Sequence, residues 1–157
     1  MVRAGPVTAP SPAPLDLRRE AAALMRAGRP QEALLVLRAL VQQVPGDFGA
    51  QYNLGFALQH LGRWEEAIAA YRRAGELNPA FAEARVNLGN CLQELGRLEE
   101  AERAFSAAAG LNPALVQAQF NLGMVRTRLG RWSDSIAPLR AAHALAPEDA
   151  KTWDHLY

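Results

Sequence analysis

Residues 48–81 read FGAQYNLGFALQHLGRWEEAIAAYRRAGELNPAF, and residues 82–115 read AEARVNLGNCLQELGRLEEAERAFSAAAGLNPAL. Set one above the other, they agree at Asn53-Leu54-Gly55 and Asn87-Leu88-Gly89, at Leu61-Gly62-Arg63 and Leu95-Gly96-Arg97, and at Asn78-Pro79 and Asn112-Pro113. Each agreement falls at an interval of 34 residues. A fixed period of this length marks a stack of one repeated supersecondary unit. The register extends both ways: Gly28, Gly62, Gly96 and Gly130 keep it, as do Pro45, Pro79, Pro113 and Pro147. Ala33, Ala67 and Ala101 follow it with Ser135 in the fourth place, and Asn121-Leu122-Gly123 supplies a third Asn-Leu-Gly. The chain therefore divides into a leader (1–13), four units (14–47, 48–81, 82–115, 116–149) and a remainder, 150–157, that starts a fifth unit or forms a short capping helix.

Each unit predicts two helices. Leu54, Ala57, Leu58 and Leu61 lie at i, i+3, i+4 and i+7, one face of a helix. Gly62 ends it, because glycine accepts the left-handed conformation of a helix exit. Glu65 and Glu66 open a second helix, where carboxylates suit the positive end of the dipole. Ala67, Tyr71 and Ala74 form its apolar stripe, and Asn78-Pro79 stops it, because the residue before proline is forced out of helical space. Small residues at Gly55, Ala67, Ala74 and their equivalents let the two helices approach closely. Pro138 breaks the pattern: it falls inside the second helix of the fourth unit, where a kink on the outer face is expected.

These residues resemble the tetratricopeptide repeat. Leu54-Gly55 with Leu58, Ala67 with Tyr71, and Pro79 match its pattern, as do Leu88-Gly89 with Leu92, Ala101 with Phe105, and Pro113. The fourth unit keeps Leu122-Gly123 and Pro147 but carries Arg126, Ser135 and Leu139 elsewhere, and the first replaces Leu-Gly by Glu20-Ala21. The resemblance spans 14–157 and implies an all-α fold, a right-handed superhelical solenoid of antiparallel helix pairs whose first helices line a concave groove.

Composition agrees. Ala (31) and Leu (22) make up a third of the 157 residues, against two Ile and eight Val, which favours helix over strand. No apolar run approaches the roughly 18–20 residues that span a bilayer, so membrane insertion is not expected. Met1–Pro14 holds four prolines and no apolar core, so no secretory signal is expected and the cytoplasm is the default compartment. The Pro/Ala-rich leader has nothing to bury and is expected to be disordered. A net charge of +1, with an acidic middle of the chain, leaves no continuous basic stripe for nucleic acid.

Catalytic chemistry is not readable. Gly-rich phosphate loops are absent from the sequence, and the glycines punctuate helices. Glu65-Glu66 and Glu99-Glu100 are adjacent pairs that point about 100° apart and share no proton. His60, His143 and His155 lie far apart without a second ligand at helical spacing, so no metal site or other cofactor is expected. Cys91 takes a place on the packing stripe and reads as a buried structural thiol. The chain is expected not to be an enzyme in itself.

The remaining candidate is the groove. On the face of each first helix away from the stripe stand Tyr52, Asn53, Phe56, Gln59 and His60, then Val86, Asn87, Asn90, Gln93 and Glu94, then Phe120, Asn121, Met124, Thr127 and Arg128. Asn53, Asn87 and Asn121 form a ladder, one rung per repeat. A carboxamide can pair with both the C=O and the N–H of a peptide unit, so such a row suits an extended peptide or protein segment, with Tyr52, Phe56, Phe120 and Met124 giving apolar contact. The same asparagines could instead bond a neighbouring helix. Their register resembles the repeats of the O-linked N-acetylglucosamine transferases, which implies peptide holding. A carboxylate clamp found in other repeat domains would map onto Val86, Asn90, Asn121, Lys151 and His155, with Val86 lacking the required charge. The expected function is a protein-interaction scaffold binding a peptide or protein partner; the alternative is the recognition portion of a longer enzyme, such as a transferase. Trp153, Leu156 and Tyr157 offer apolar surface through which the C-terminal end could self-associate.

Overall fold

A computed structural model describes residues 12–148. They form eight helices: α1 (Pro14–Arg26), α2 (Pro30–Gln43), α3 (Phe48–His60), α4 (Trp64–Leu77), α5 (Ala82–Glu94), α6 (Leu98–Leu111), α7 (Val116–Arg128) and α8 (Trp132–Leu145). No strand occurs among the described residues. Each helix packs chiefly on its neighbours in the chain, and α5 also touches α3 and α7 directly, so the odd-numbered helices lie side by side. The leader up to residue 11 and residues 149–157 lie outside the described residues. With them go Lys151, Trp153, His155, Leu156 and Tyr157, and with them the readings of a carboxylate clamp and of C-terminal self-association.

The turn inside each pair is built from backbone bonds that glycine permits. After α3, the Arg63 N–H donates to the Leu58 carbonyl at 2.9 Å and the Gly62 N–H to the Gln59 carbonyl at 3.0 Å. These two bonds close the helix only if Gly62 turns left-handed, and its φ is +68°. Gly28, Gly96 and Gly130 repeat the arrangement with φ between +69° and +73°. The following helix has no side-chain cap. Its first turn carries carboxylates instead, and Glu66 pairs back to Arg63 at 2.5 Å, as Glu100 does to Arg97 at 2.7 Å. Asp47 does cap α3, accepting from the Gly49 N–H at 3.0 Å. It also accepts from Arg18 Nε at 2.9 Å, which ties α1 to α3.

The core runs along the seam between odd and even helices. Ala67, Ala74, Ala101 and Ala108 are fully buried, and the buried Tyr71 and Phe105 rings press on Gly55 and Gly89 of the preceding helix. A β-carbon at Gly89 would stand 2.5 Å from the Phe105 ring, so only glycine lets α5 and α6 meet at that distance. Gly55 plays the same part beneath Tyr71 at 2.8 Å.

The fourth pair is built differently. Leu139 replaces the aromatic residue, and the Ser135 hydroxyl, in the alanine place, donates to the Trp132 carbonyl at 2.7 Å. Pro138 is buried, not on the outer face as expected, and α8 runs through it. Proline has no N–H, so the Asp134 carbonyl loses its helical donor. Arg126 Nη1 donates to that carbonyl at 3.1 Å instead. The two departures of this unit, Arg126 for leucine and Pro138 for alanine, thus satisfy one another.

Candidate functional site

The sequence singled out one face of α3, α5 and α7, and the structure divides its residues into two groups. Asn53, Phe56, His60 and Arg128 are exposed. Tyr52, Asn87, Asn90, Phe120, Asn121 and Met124 are half-buried. Val86 departs from the expectation: at 2% exposure it is a core residue, because the neighbouring helices close over its side of α5. That removes the first position of the carboxylate clamp from any ligand's reach.

The asparagines are not equivalent. Asn53 makes no side-chain hydrogen bond among the described residues. Asn87 Nδ2 donates to the Tyr52 hydroxyl at 2.9 Å, and Asn121 Nδ2 donates to Asn90 Oδ1 at 2.9 Å. Both bonds cross from one pair to the next, so Asn87 and Asn121 do bond a neighbouring helix, the alternative that the sequence left open. Adjacent odd helices lie close enough for a rung to reach residues of the previous unit. A carboxamide carries two N–H groups and an acceptor oxygen, so each rung has bonding capacity beyond this one contact.

Around Tyr52 the structure assembles a cluster that the periodicity did not reveal. Its ring lies 4.9 Å from Phe81 and 5.6 Å from Tyr71, and Phe81 meets Phe48 edge-on at 5.4 Å. Phe48 opens α3 and Phe81 immediately precedes α5; their 33-residue separation, one short of the period, was the only sequence signal. Beneath this cluster the Tyr71 hydroxyl donates to Gln59 Oε1 at 2.8 Å, with Cys91 Sγ 3.7 Å from the same oxygen. Gln59 therefore serves the interior rather than the open face. Thr127 also turns back, donating its hydroxyl to the Gly123 carbonyl at 3.1 Å. Burial raises the Tyr52 phenol above its ordinary value, opposed by the bond from Asn87. Burial, and secondarily the Glu94 carboxylate, pushes the Cys91 thiol up to about 11, so it stays protonated near neutrality. Phe56 stands over His60 with ring centroids 4.5 Å apart.

The open face thus presents an amide, an aromatic–imidazole pair and half-buried amides linked across units. Among the described residues no group of three His, Cys, Asp or Glu side chains could hold a metal ion, and no helix is long and apolar enough to cross a membrane.

Comparison with known proteins gives the repeats their name. No curated protein sequence matches the chain. Among solved structures, a crystal structure of MamA covers 88% of this chain and 81% of its own at 24% identity, with a TM-score of 0.82. MamA from Desulfovibrio magneticus RS-1 covers 91% and 81% at 25% identity, with a TM-score of 0.83. Family models described as TPR repeat and tetratricopeptide repeat match residues 60–96, 24–76 and 87–150. The repeats of this chain are tetratricopeptide repeats.

Proposed function

We propose that the chain is a non-catalytic interaction scaffold that holds an extended peptide or protein segment across the face of α3, α5 and α7. The observation that carries this reading is Asn53 beside Phe56: an amide without a partner among the described residues, next to an aromatic ring that is 37% exposed, neither required by packing. Asn87, Asn90 and Asn121 continue the same line with amides already oriented by their bonds across units. Pre-orientation lowers the entropy lost when a peptide backbone adds further bonds. The register of these amides, which resembles that of the O-linked N-acetylglucosamine transferase repeats, supports the same mode of binding.

The test is a peptide-array screen with wild type, followed by titration of the retained peptides. Asn53→Ala should weaken binding about two- to tenfold, the value of one net hydrogen bond, and leave the melting temperature unchanged. Asn87→Ala and Asn121→Ala should lower both affinity and melting temperature, since each removes an internal bond as well. Full retention of every selected peptide by an Asn53→Ala/Phe56→Ala double variant would defeat the proposal.

A further inference from the structure

A second surface lies on the opposite side of α5. Between α4 and α6, with α5 as its floor, is a cleft of about 260 Å³. Leu88 and Leu92 form the apolar floor, and Arg72, Arg85 and Arg103 surround it with the single carboxylate of Glu100. Glu100 is already held by Arg97 through two bonds of 2.7 and 2.8 Å, and Arg72 reaches it only at 3.3 Å. Arg97 holds its carboxyl below the usual range. The lining therefore sets three guanidinium groups against one carboxylate and is net positive, with Arg72 paired to Glu100 and Arg85 also donating from Nη1 to the Pro79 carbonyl at 2.8 Å.

The same cleft recurs one period earlier, at about 290 Å³, over Leu54 and Leu58. There Arg38 and Glu66 pair at 3.1 Å, Gln51 stands where Arg85 does, and Ala69 stands where Arg103 does. One period later the residues in the floor and wall positions are Arg126 and Pro138, and Arg126 is turned to Glu102 and the Asp134 carbonyl. Three equivalent places thus share one backbone: one neutral, one basic and one carrying an arginine in the floor position. Packing does not require the extra arginines, because the earlier cleft forms without them.

We propose that the basic cleft between α4 and α6 is a second binding site, and that its occupant is an acidic peptide segment carrying a carboxylate beside an apolar side chain. The apolar side chain lies on Leu88 and Leu92, and the carboxylate meets the guanidinium groups of Arg85 and Arg103, whose fork geometry suits carboxylate oxygens. A volume below the usual range of about 300–1,000 Å³ for small-molecule pockets fits a side chain or two and not a whole cofactor. The site is independent of the amide-bearing face, since Arg85, Leu88 and Leu92 lie across α5 from Asn87 and Asn90.

The probe is the blocked peptide Glu-Leu-Glu-Phe, titrated into the isotope-labelled full chain and followed by amide chemical shifts. Shifts should centre on Leu88, Leu92 and Arg103 and leave Asn53 and Phe56 unmoved. Affinity should fall severalfold when salt is raised to 0.5 M, because these charges sit at the surface. Replacing both glutamates of the probe by glutamine, or making Arg103→Glu on the exposed side of α6, should cut affinity about tenfold or more. Gln51→Arg/Ala69→Arg should add a second set of shifts at Leu54 and Leu58. Shifts confined to Asn53 and Phe56, equal binding of the glutamine peptide, or no saturable shift at all would each overturn the proposal. Failure of this site leaves the reading of the amide-bearing face standing, since that is tested by separate peptides and by the Asn53→Ala/Phe56→Ala variant.

Discussion

The contact of α4 with α5 and that of α6 with α7 occupy the same place in successive repeats, yet they are made of different chemistry. In the first, Ile68 and Leu92 are both 2% exposed and belong to one apolar cluster. In the second, Glu102 stands in the register of Ile68 and Arg126 in that of Leu92. Glu102 accepts from Arg126 Nε at 2.9 Å and from Arg131 Nη1, while Arg126 also reaches the Asp134 carbonyl freed by Pro138. One backbone spacing is thus served by a non-directional contact and by a directional network. The apolar version tolerates small changes in proportion to the area lost. The charged version depends on every member, because removing one leaves a partly buried charge without its partner.

The largest difference is expected where helices touch within a pair. Gly89→Ala would drive a β-carbon into the fully buried Phe105 ring, which has no room to turn, and should cost about 2–3 kcal/mol in urea unfolding. In Gly123→Ala the β-carbon would press on Leu139 Cγ and stand 3.3 Å from the Ser135 carbonyl, but Leu139 is half-buried and can swing about χ1, so the change should cost less, about 1–2 kcal/mol. Equal costs would mean that the fourth pair is packed as tightly as the third.

The second effect concerns the network itself. Glu102→Ala should cost about 1–3 kcal/mol by stranding Arg126 and Arg131, whereas Ile68→Val at the apolar contact should cost about 1 kcal/mol. The triple variant Glu102→Ile/Arg126→Leu/Pro138→Ala rebuilds the apolar contact and restores the helical N–H to the Asp134 carbonyl. It should match or exceed wild type in thermal melts and lose the decline in stability that added salt produces in wild type. A triple variant less stable than Glu102→Ala would show that the network is worth more than the apolar contact it replaces.

How much of this was legible follows the range of each interaction. The eight helices came through because a period of 34, a glycine exit and an Asn-Pro stop are local or repeated signals. The close approach at Gly55 and Gly89 was readable for the same reason. The pairing of Asn87 with Tyr52 and of Asn121 with Asn90 was not, since these partners lie 35 and 31 residues apart and the lateral offset between odd helices decides which rung reaches which neighbour. Val86 looked open on a single helical wheel, but a wheel does not show the neighbour that covers it. Pro138 read as an outer kink because its compensation comes from Arg126, on another helix.

The smallest predicted effect separates the third and fourth units by pH. Cys91 and Val125 occupy the same fully buried place one period apart. Burial raises the Cys91 thiol from 9.0 to about 11 in the folded chain. Well below pH 9 both states keep the proton and the full contribution of this site is present. Between pH 9 and about 11 the unfolded chain gives up the proton while the folded chain retains it, so stability falls as pH rises. Burial raises the Tyr52 and Tyr71 phenols as well, with the same sign, but from an ordinary value of 10.0, a unit above that of the thiol, so their loss is centred higher. The interval from pH 9 to 10 therefore reports chiefly on the thiol, with a slope of at most about 1.4 kcal/mol per pH unit for one proton. Cys91→Ala, which borrows the residue of the second unit, should abolish that slope, whereas Val125→Ala should lower stability by the same amount at pH 7 and pH 10. Persistence of the full slope in Cys91→Ala would assign it to a group other than the thiol.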